Sequence, residues 1–256
     1  GSNLDFEPPT LDDTASYFCT GGTTGTPKIA VRTHRTEVAN AVQLAATFGQ
    51  LAGLGQPTFC GLPLFHVNAQ IGTGLMPWSV GGHVVLGTPQ GYRTAGLLQL
   101  FWQIAAHYGL RSFSGVPTVY SALLQTPSDN VDLSSLRFGI CGAAPMPTEL
   151  VQRFQSATGI SVLEGYGLTE GGCVSTLNPP GGIRKPGAIG IRLPWQDIKV
   201  VILDSGSHYV REAETNEIGT IAIAGANLFS GYLNPMHNEG LWIQVPPSNG
   251  EAPRRW

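Results

Sequence analysis

The chain has 256 residues, of which 42% are hydrophobic and 12% charged, with a formal net charge of −3 at pH 7. That length supplies core for one large domain or two smaller ones, and the near-neutral balance gives no electrostatic footprint for nucleic acid or an acidic membrane. No run approaches the roughly 18 apolar residues of a membrane span, and no signal peptide opens the chain. Cys19, Cys60, Cys141 and Cys173 are far apart. This spacing favours reduced thiols over disulfides or a zinc site, and with them a cytoplasmic location.

From residue 14 to about residue 172, strand patterns alternate with helix patterns. Strands are predicted at residues 14–19, 57–64, 83–86, 111–116, 136–141 and 161–164, and those at 57–64 and 83–86 are expected to be buried. One helix is predicted from the spacing of Val38, Val42, Ala45 and Gly49, which places them on one helix face. Further helices are predicted over residues 95–107, from Pro117 onward, and over residues 147–157. This alternation predicts an α/β fold, with a mainly parallel sheet flanked by helices.

The pattern changes after the Asn178-Pro-Pro-Gly-Gly segment. DIKVVILD (197–204) and GTIAIAG (219–225) are short strand patterns with no helix between them, which predicts a small antiparallel β unit. We therefore expect a lead-in over residues 1–13 that opens with a Gly1-Ser2 expression scar, an α/β subdomain over 14–178 and a β-rich subdomain over 179–256. The boundary is placed near residues 178–190.

The segment TGGTTGTPK (20–28) combines glycines and hydroxyl residues with a lysine. A P-loop requires Lys directly after the second glycine and then Ser or Thr, but Lys28 follows Pro27 and precedes Ile29. The P-loop is excluded on spacing. The freed loop amides, the threonine hydroxyls and the Lys28 cation still suit an anion, although for an isolated segment of this kind a solvated turn is the favoured interpretation.

Two further segments, GAAP (142–145) and GYGLTE (165–170), also follow predicted strands. Ligands of open α/β sheets bind at the carboxyl ends of strands, so we expect all three segments to share one nucleotide site there. In GYGLTE, Tyr166 offers a flat face for a base, Thr169 a hydroxyl for phosphate and Glu170 a hard oxygen ligand for Mg²⁺. The alternative is a helix N-terminus that Thr169 caps.

In this order, TGGTTGTPK, GAAP, GYGLTE and the later EIGTIAIAGANLFSGYLNP resemble the adenylate-forming superfamily. That family comprises acyl-CoA synthetases, luciferases and peptide-synthetase adenylation domains. The resemblance runs from about residue 14 to residue 235, and it implies part of an acyl-CoA synthetase-like large domain.

The resemblance also implies a role for each matching residue. The β- and γ-phosphates of ATP would be held by Thr20, Thr23, Thr24 and Lys28. The adenine and acyl pockets would be lined by Gly142, Ala143 and Ala144. Tyr166, between Gly165 and Gly167, would stack on adenine, Thr169 would contact the α-phosphate, and Glu170 would bind Mg²⁺. His66, in PLFHVNA, would lie beside the acyl-binding pocket, although a hydrogen-bonded core histidine is the competing interpretation.

The implied reaction activates a carboxylic acid with ATP to an acyl-adenylate and then transfers the acyl group to coenzyme A. The protein contributes positioning and charge neutralisation. The expected partners are thus a small carboxylic acid, ATP and CoA, and neither nucleic acid nor a membrane segment. The oligomeric state is left open, with a homodimer among the alternatives.

The substrate is only partly specified. Amino-acid-activating members carry an aspartate near the start of the pocket, whereas residues 63–73 (PLFHVNAQIGT) contain no acid. A buried unpaired ammonium would be costly there, which favours an acyl acid without an amine, most like the substrates of fatty-acid or general acyl-CoA synthetases. The alternatives are an aryl-acid or luciferase-like ligase, and a non-catalytic nucleotide-binding module.

The chain departs from the family pattern in the loop and at its ends. Gly21 replaces the usual Ser and removes a hydroxyl, and Ile29 replaces the usual Gly. We expect Ile29 to stiffen the loop exit, because β-branched residues resist positive φ. The ribose-binding aspartate and the C-terminal domain with its catalytic lysine are not in the sequence. We therefore expect a central fragment with impaired adenylation.

Overall fold

The computed structural model describes residues 7–20, 27–51, 53–128, 130–247 and 255–256. The strands are β1 (Thr14–Thr20), β2 (Lys28–Thr33), β3 (Pro57–Cys60), β4 (His83–Leu86), β5 (Ser112–Gly115), β6 (Phe138–Cys141), β7 (Ser161–Tyr166), β8 (Thr176–Leu177), β9 (Ile191–Arg192), β10 (Gln196–Leu203), β11 (Tyr209–Glu212), β12 (Thr220–Gly225) and β13 (Gly231–Tyr232). The α-helices are α1 (His34–Phe48), α2 (Met76–Ser79), α3 (Leu97–Tyr108), α4 (Pro117–Leu123) and α5 (Thr148–Thr158). A π-helix (Asn68–Leu75) runs directly into α2.

The central sheet has seven strands in the order β4-β3-β5-β6-β7-β8-β9. The five strands β3 to β7 are parallel to one another. β8 pairs antiparallel with β7, and β9 pairs antiparallel with β8. The predicted mainly parallel α/β sheet is confirmed. β4 is an edge strand in which only Val85 is buried. The prediction of a strand at residues 83–86 is confirmed, and the prediction that this strand is buried is wrong.

An aromatic core fills the space between this sheet and the helices α3, α4 and α5. Phe101 and Phe113 meet edge-on with ring centroids 5.0 Å apart, and Tyr120 and Phe154 do the same at 5.0 Å. All four side chains are fully buried. Such edge-to-face pairs add to the free energy of burial and fix the helices against the strands that carry the candidate site.

The helix α1 buries an unexpected face. Thr33 caps its N-terminus, and the helix ends at Gly49. Val38 and Val42 of the predicted apolar face are 50% and 44% exposed. The buried face instead carries Asn40 and several other polar residues, which are Thr36, Glu37 and Gln43. These polar groups find hydrogen-bond partners inside the protein, so their burial is compensated.

The segment TGGTTGTPK does not follow a strand of the central sheet. β1 and β2 form an antiparallel hairpin, and β13 pairs with β2, which gives a separate three-stranded sheet. The expectation that all three segments lie at the carboxyl ends of one sheet is therefore wrong for this loop. It holds for GAAP and GYGLTE, at the ends of the neighbouring strands β6 and β7.

The strands β10, β11 and β12 form a third sheet, antiparallel throughout, with β10 in the centre. No helix lies between β10 and β12, which confirms the predicted small β unit. In the part of the chain that the structure describes, no helix is long and apolar enough to cross a membrane.

Candidate active site

The carboxyl ends of β6 and β7 form one wall of the candidate site. Ala143 follows β6 with a positive φ of 66°, a conformation that costs free energy for a residue with a Cβ and is typical of functional loops. Tyr166 ends β7 and is half-buried. A cavity of about 430 Å³ lies between these segments, lined among others by Ala143, Ala144, Gly165, Tyr166 and Gly167. We call it the Tyr166 cavity.

Close backbone approach explains Gly167. A Cβ at this position would lie 1.9 Å from the carbonyl oxygen of Cys173, so only glycine fits where the chain turns back. The turn that follows is a short 3₁₀ helix, Thr169–Gly171. The glycine therefore allows the turn that carries Thr169 and Glu170.

A second cavity, of about 580 Å³, opens beside this turn. His66, Arg93, Thr118 and Thr169 line it together with apolar side chains, and it shares Ala143 and Gly167 with the Tyr166 cavity. We call it the His66 cavity. Its described lining contains no Asp or Glu, so the wall next to His66 is neutral to basic.

The β1–β2 hairpin also contacts the Thr169–Gly171 turn. Thr20 and Lys28 pair in register at the end of the β1–β2 hairpin where the chain connects the two strands. The ammonium Nζ of Lys28 lies 5.0 Å from the centroid of the Tyr232 ring, within cation–π range. The Tyr232 hydroxyl donates a hydrogen bond to Oε1 of Glu170. Tyr232, on β13, thus joins the lysine of its own sheet to the carboxylate of the 3₁₀ turn.

A buried amide network holds the 3₁₀ turn in place. Asn227 is fully buried and donates from Nδ2 to the carbonyl oxygen of Gly171 at 2.7 Å and to Oε1 of Gln196 at 3.1 Å. Its Oδ1 accepts from Nε2 of Gln43 at 3.2 Å. The amide of Phe229 donates to the carbonyl oxygen of Glu170 at 2.9 Å. The turn is therefore fixed from α1, from β10 and from the loop before β13.

The surroundings shift two titrating groups at the site. Burial, followed by the hydrogen bond to Glu170 and its charge, raises the pKa of Tyr232 above its ordinary range. Partial burial and the nearby positive charge of Arg93 lower the pKa of His66. At neutral pH the Tyr232 hydroxyl is therefore a proton donor, and the imidazole of His66 is neutral.

The structure brings most of the predicted site residues together. Ten of them lie in the Tyr166 cavity, in the His66 cavity or beside the contact between Lys28 and Tyr232. They are Thr20, Lys28, His66, Ala143, Ala144, Gly165, Tyr166, Gly167, Thr169 and Glu170. Gly142 lines none of these cavities, but its backbone is next to Gly165, since a Cβ there would lie 3.4 Å from the Gly165 carbonyl oxygen. Thr23, Thr24 and Gly21 are outside the described residues.

The expected effect of Ile29 on the loop exit is wrong. Ile29 lies in β2, paired with Cys19, and it is not among the described residues with positive φ. β-branched side chains favour an extended backbone, so isoleucine is compatible with this position.

Sequence reasoning missed Tyr232 and Arg93. Tyr232 lies in the SGYL part of the motif EIGTIAIAGANLFSGYLNP, and that motif was its signal. Arg93 follows a Gly91-Tyr92 turn without a motif, and only the fold places it on the His66 cavity.

The same fold occurs in solved adenylate-forming enzymes. The ATP-bound crystal structure of MatB from Rhodopseudomonas palustris matches with a TM-score of 0.77 and 27% identity, covering 91% of this chain and 43% of that one. The fold thus defines an α/β protein of the adenylate-forming class. The family model described as AMP-binding enzyme matches residues 2–233, and the chain belongs to this family.

Curated relatives are acid–CoA ligases. The marinolic acid–CoA ligase of Pseudoalteromonas sp. (strain SANK 73390) is 39% identical over 233 residues, which is 90% of this chain and 36% of that protein. The long-chain-fatty-acid–CoA ligase of Salmonella typhimurium (strain LT2) is 33% identical over 224 residues, which is 86% of this chain and 38% of that protein. The chain therefore spans less than two-fifths of the length of either ligase.

Proposed function

We propose that this chain carries the nucleotide- and acyl-binding part of an acid–CoA ligase that activates a carboxylic acid with ATP. The observation that carries the proposal is the position of the Thr169–Glu170 turn. It has the His66 cavity on one side and the Tyr232–Lys28 pair on the other. One turn can thus face the acid and the ATP phosphates together.

In the proposed reaction a carboxylate oxygen of the acid attacks the α-phosphorus of ATP, and the bond to the β-phosphate oxygen breaks to release pyrophosphate. Lys28 and the hydroxyl of Thr20 would orient the β- and γ-phosphates, with Thr23 and Thr24 of the same loop. Thr169 would contact the α-phosphate. The thiol sulfur of CoA then attacks the acyl carbon, AMP leaves, and the thiol proton is lost. Positioning and preorganised charge account for the protein's share of catalysis.

Adenine would occupy the Tyr166 cavity. Tyr166 offers its ring as a stacking surface, and the backbone of Gly142, Ala143 and Ala144 forms the wall opposite. Gly165 and Gly167 keep side chains away from this surface. The size of the cavity, about 430 Å³, is within the range of small-molecule sites.

Glu170 would hold Mg²⁺ through its carboxylate. Magnesium in nucleotide sites typically takes one or two protein carboxylates beside phosphate and water oxygens, and Glu170 has one oxygen engaged by Tyr232. Among the described residues there is no group of three or more His, Cys, Asp or Glu that could hold a metal ion by itself. When bound, Mg²⁺ would supply neutralisation of phosphate charge.

The acid is proposed to be an acyl acid without an amine. The His66 cavity has Arg93 and no carboxylate in its described lining, so a substrate ammonium would lack a counter-ion. A fatty acid fits the apolar part of the wall, and an aryl acid is the alternative. The division into an α/β subdomain over residues 14–178 and a β-rich subdomain over 179–256 remains part of this proposal, as does the cytoplasmic location.

ATP–pyrophosphate exchange with a panel of fatty, aryl and amino acids tests the proposal, both on the 256-residue chain and on a longer protein that contains it. We expect acid-dependent exchange by the longer protein, at least a hundredfold slower exchange by this chain, and no response to amino acids. ATP binding without exchange in both proteins would favour the non-catalytic module. Robust exchange by the 256-residue chain would contradict the expected impairment.

A further inference from the structure

A basic cavity lies at the amino ends of the parallel strands, on the edge of the sheet opposite the candidate active site. Its volume is about 640 Å³, and Arg111, Arg137 and Arg184 line it. Arg111 directly precedes β5 and Arg137 directly precedes β6. Thr158, Gly159 and Ser161, from the end of α5 and the start of β7, complete the same wall. We call it the three-arginine cavity.

Two of the arginines that line this cavity are neighbours across the sheet, and its described lining offers them no acidic partner. The amide of Arg137 donates to the carbonyl oxygen of Arg111 at 2.9 Å, so the two backbones are direct neighbours and both side chains face one cavity. Like charges placed opposite each other on neighbouring strands destabilise a sheet. The described lining contains no Asp or Glu. Asp132, which is not part of this lining, accepts a hydrogen bond from the amide of the lining residue Ser134 at 2.9 Å.

Arg111 also has an unused hydrogen-bond donor. Its Nε is buried and has no hydrogen-bond partner among the described residues. Arg184 donates only to the carbonyl oxygen of Pro180, at 3.4 Å. Buried polar groups in native proteins are generally satisfied, and a guanidinium pairs best with a planar or tetrahedral oxyanion.

We propose that the three-arginine cavity binds an anion with two or more phosphate groups, separately from the ATP site. A single phosphate would pair with one or two guanidinium groups. Three guanidinium groups around a cavity of this size favour an anion with more than one phosphate group. Phosphate oxygens would pair with the guanidinium groups of Arg111, Arg137 and Arg184 where these line the cavity. The inference is independent of the proposed ligase activity, since no residue of the candidate active site contributes to it.

Tripolyphosphate titration of the ¹⁵N-labelled 256-residue chain, followed by amide shifts, tests this site locally. We expect saturable shifts at the amides of Ser134, Gly159 and Ser161. R137Q should weaken the affinity read from those amides at least tenfold, and R184Q at least threefold. R153Q, which removes an equally exposed arginine outside the cavity, should change it less than twofold.

Because Arg137, Arg184 and Arg153 are all exposed, these variants should retain the fold, and their spectra will show it. Absence of saturable shifts at the three amides would overturn the proposal. Equal affinities of R137Q and R153Q would overturn it too. They would show that tripolyphosphate binding depends only on the net charge of the protein and not on the arginines of the cavity. Shifts confined to the Lys28 and Glu170 region would assign the binding to the ATP site instead.

Discussion

The hydroxyl of Tyr232 donates a hydrogen bond to Glu170 while its ring lies 5.0 Å from the ammonium of Lys28. One side chain therefore contacts both the cation and the anion of the candidate phosphate site. Under the proposed function these two groups would bind phosphate and Mg²⁺, and Tyr232 would help to position both.

Tyr232→Phe removes the hydroxyl and keeps the ring over Lys28. We expect Mg²⁺-dependent ATP binding to weaken roughly five- to tenfold, since a hydrogen bond to a charged group contributes about 1.5–3 kcal/mol and ATP would sense only part of it. Calorimetric titration with ATP and Mg²⁺ measures the change. Tyr17→Phe, at a tyrosine that is 60% exposed, is the matched control. Equal affinities of the two variants would remove Tyr232 from the site.

Glu170→Gln keeps the shape of the side chain and removes its charge. If Glu170 holds Mg²⁺, the gain in ATP affinity that Mg²⁺ produces should disappear, while binding without the metal stays the same or improves. Calorimetry at several Mg²⁺ concentrations checks this. Glu149→Gln, at an exposed position in the first turn of α5, should preserve the metal response. A preserved response in E170Q would place the metal elsewhere.

Arg93→Gln should raise the pKa of His66 toward its ordinary value, because the positive charge of Arg93 is one of the two causes that lower it. Partial burial, the larger cause, would remain, so the shift should be incomplete. The pH titration of the His66 ring proton by NMR measures it. An unchanged midpoint would show that Arg93 is too well screened to act.

The same lowered pKa gives a sign for stability against pH. The unfolded chain takes up the His66 proton at a higher pH than the folded chain does. The contribution of His66 to the free energy of unfolding should therefore fall as the pH drops through the ordinary histidine range to the folded value. His66→Gln should flatten this part of the stability curve, measured by urea unfolding. A curve as steep as that of the wild type would contradict the prediction.

Asn227→Ala would remove the hydrogen-bond partner of Nε2 of Gln43, of Oε1 of Gln196 and of the carbonyl oxygen of Gly171. We expect a loss of roughly 2–4 kcal/mol in the free energy of unfolding, since each unsatisfied buried group costs about 1–3 kcal/mol. Denaturant unfolding measures it. Gln152→Ala, on the exposed side of α5, should remain within about 0.5 kcal/mol of the wild type. A similarly small change for N227A would show that the network is not needed for the fold.

Gly167→Ala places a Cβ 1.9 Å from the carbonyl oxygen of Cys173. Backbone must move to relieve this clash, so we expect a loss of roughly 3 kcal/mol or more in the free energy of unfolding. Gly181→Ala has no atom within 4 Å of the new Cβ and serves as the control. Equal unfolding midpoints for the two variants would contradict the close approach.

Elements with strong local signals were predicted close to their observed bounds. Pro117 begins α4, where a proline lacks only an amide that has no helical partner. Gly159 ends α5 with a φ of 71°, as the sequence indicated. The π-helix Asn68–Leu75 was missed, because NAQIGTGL has two glycines and no helical periodicity. The strand β2 was not predicted, although its β-branched residues Ile29 and Val31 favour an extended backbone. It directly follows the glycine-rich segment, which indicates a loop.

The sequence by itself determined the family, the order of the motifs and the chemical types at the site, because these depend on residue identity and spacing. Only the tertiary structure decided that β1 and β2 form a separate hairpin sheet, that α1 buries polar residues beside its apolar ones, and that Tyr232 connects Lys28 with Glu170. These features depend on pairings between residues as far apart as Lys28 and Tyr232. Local propensity carries no information about such contacts, since the partner that compensates a buried polar group is distant in the chain.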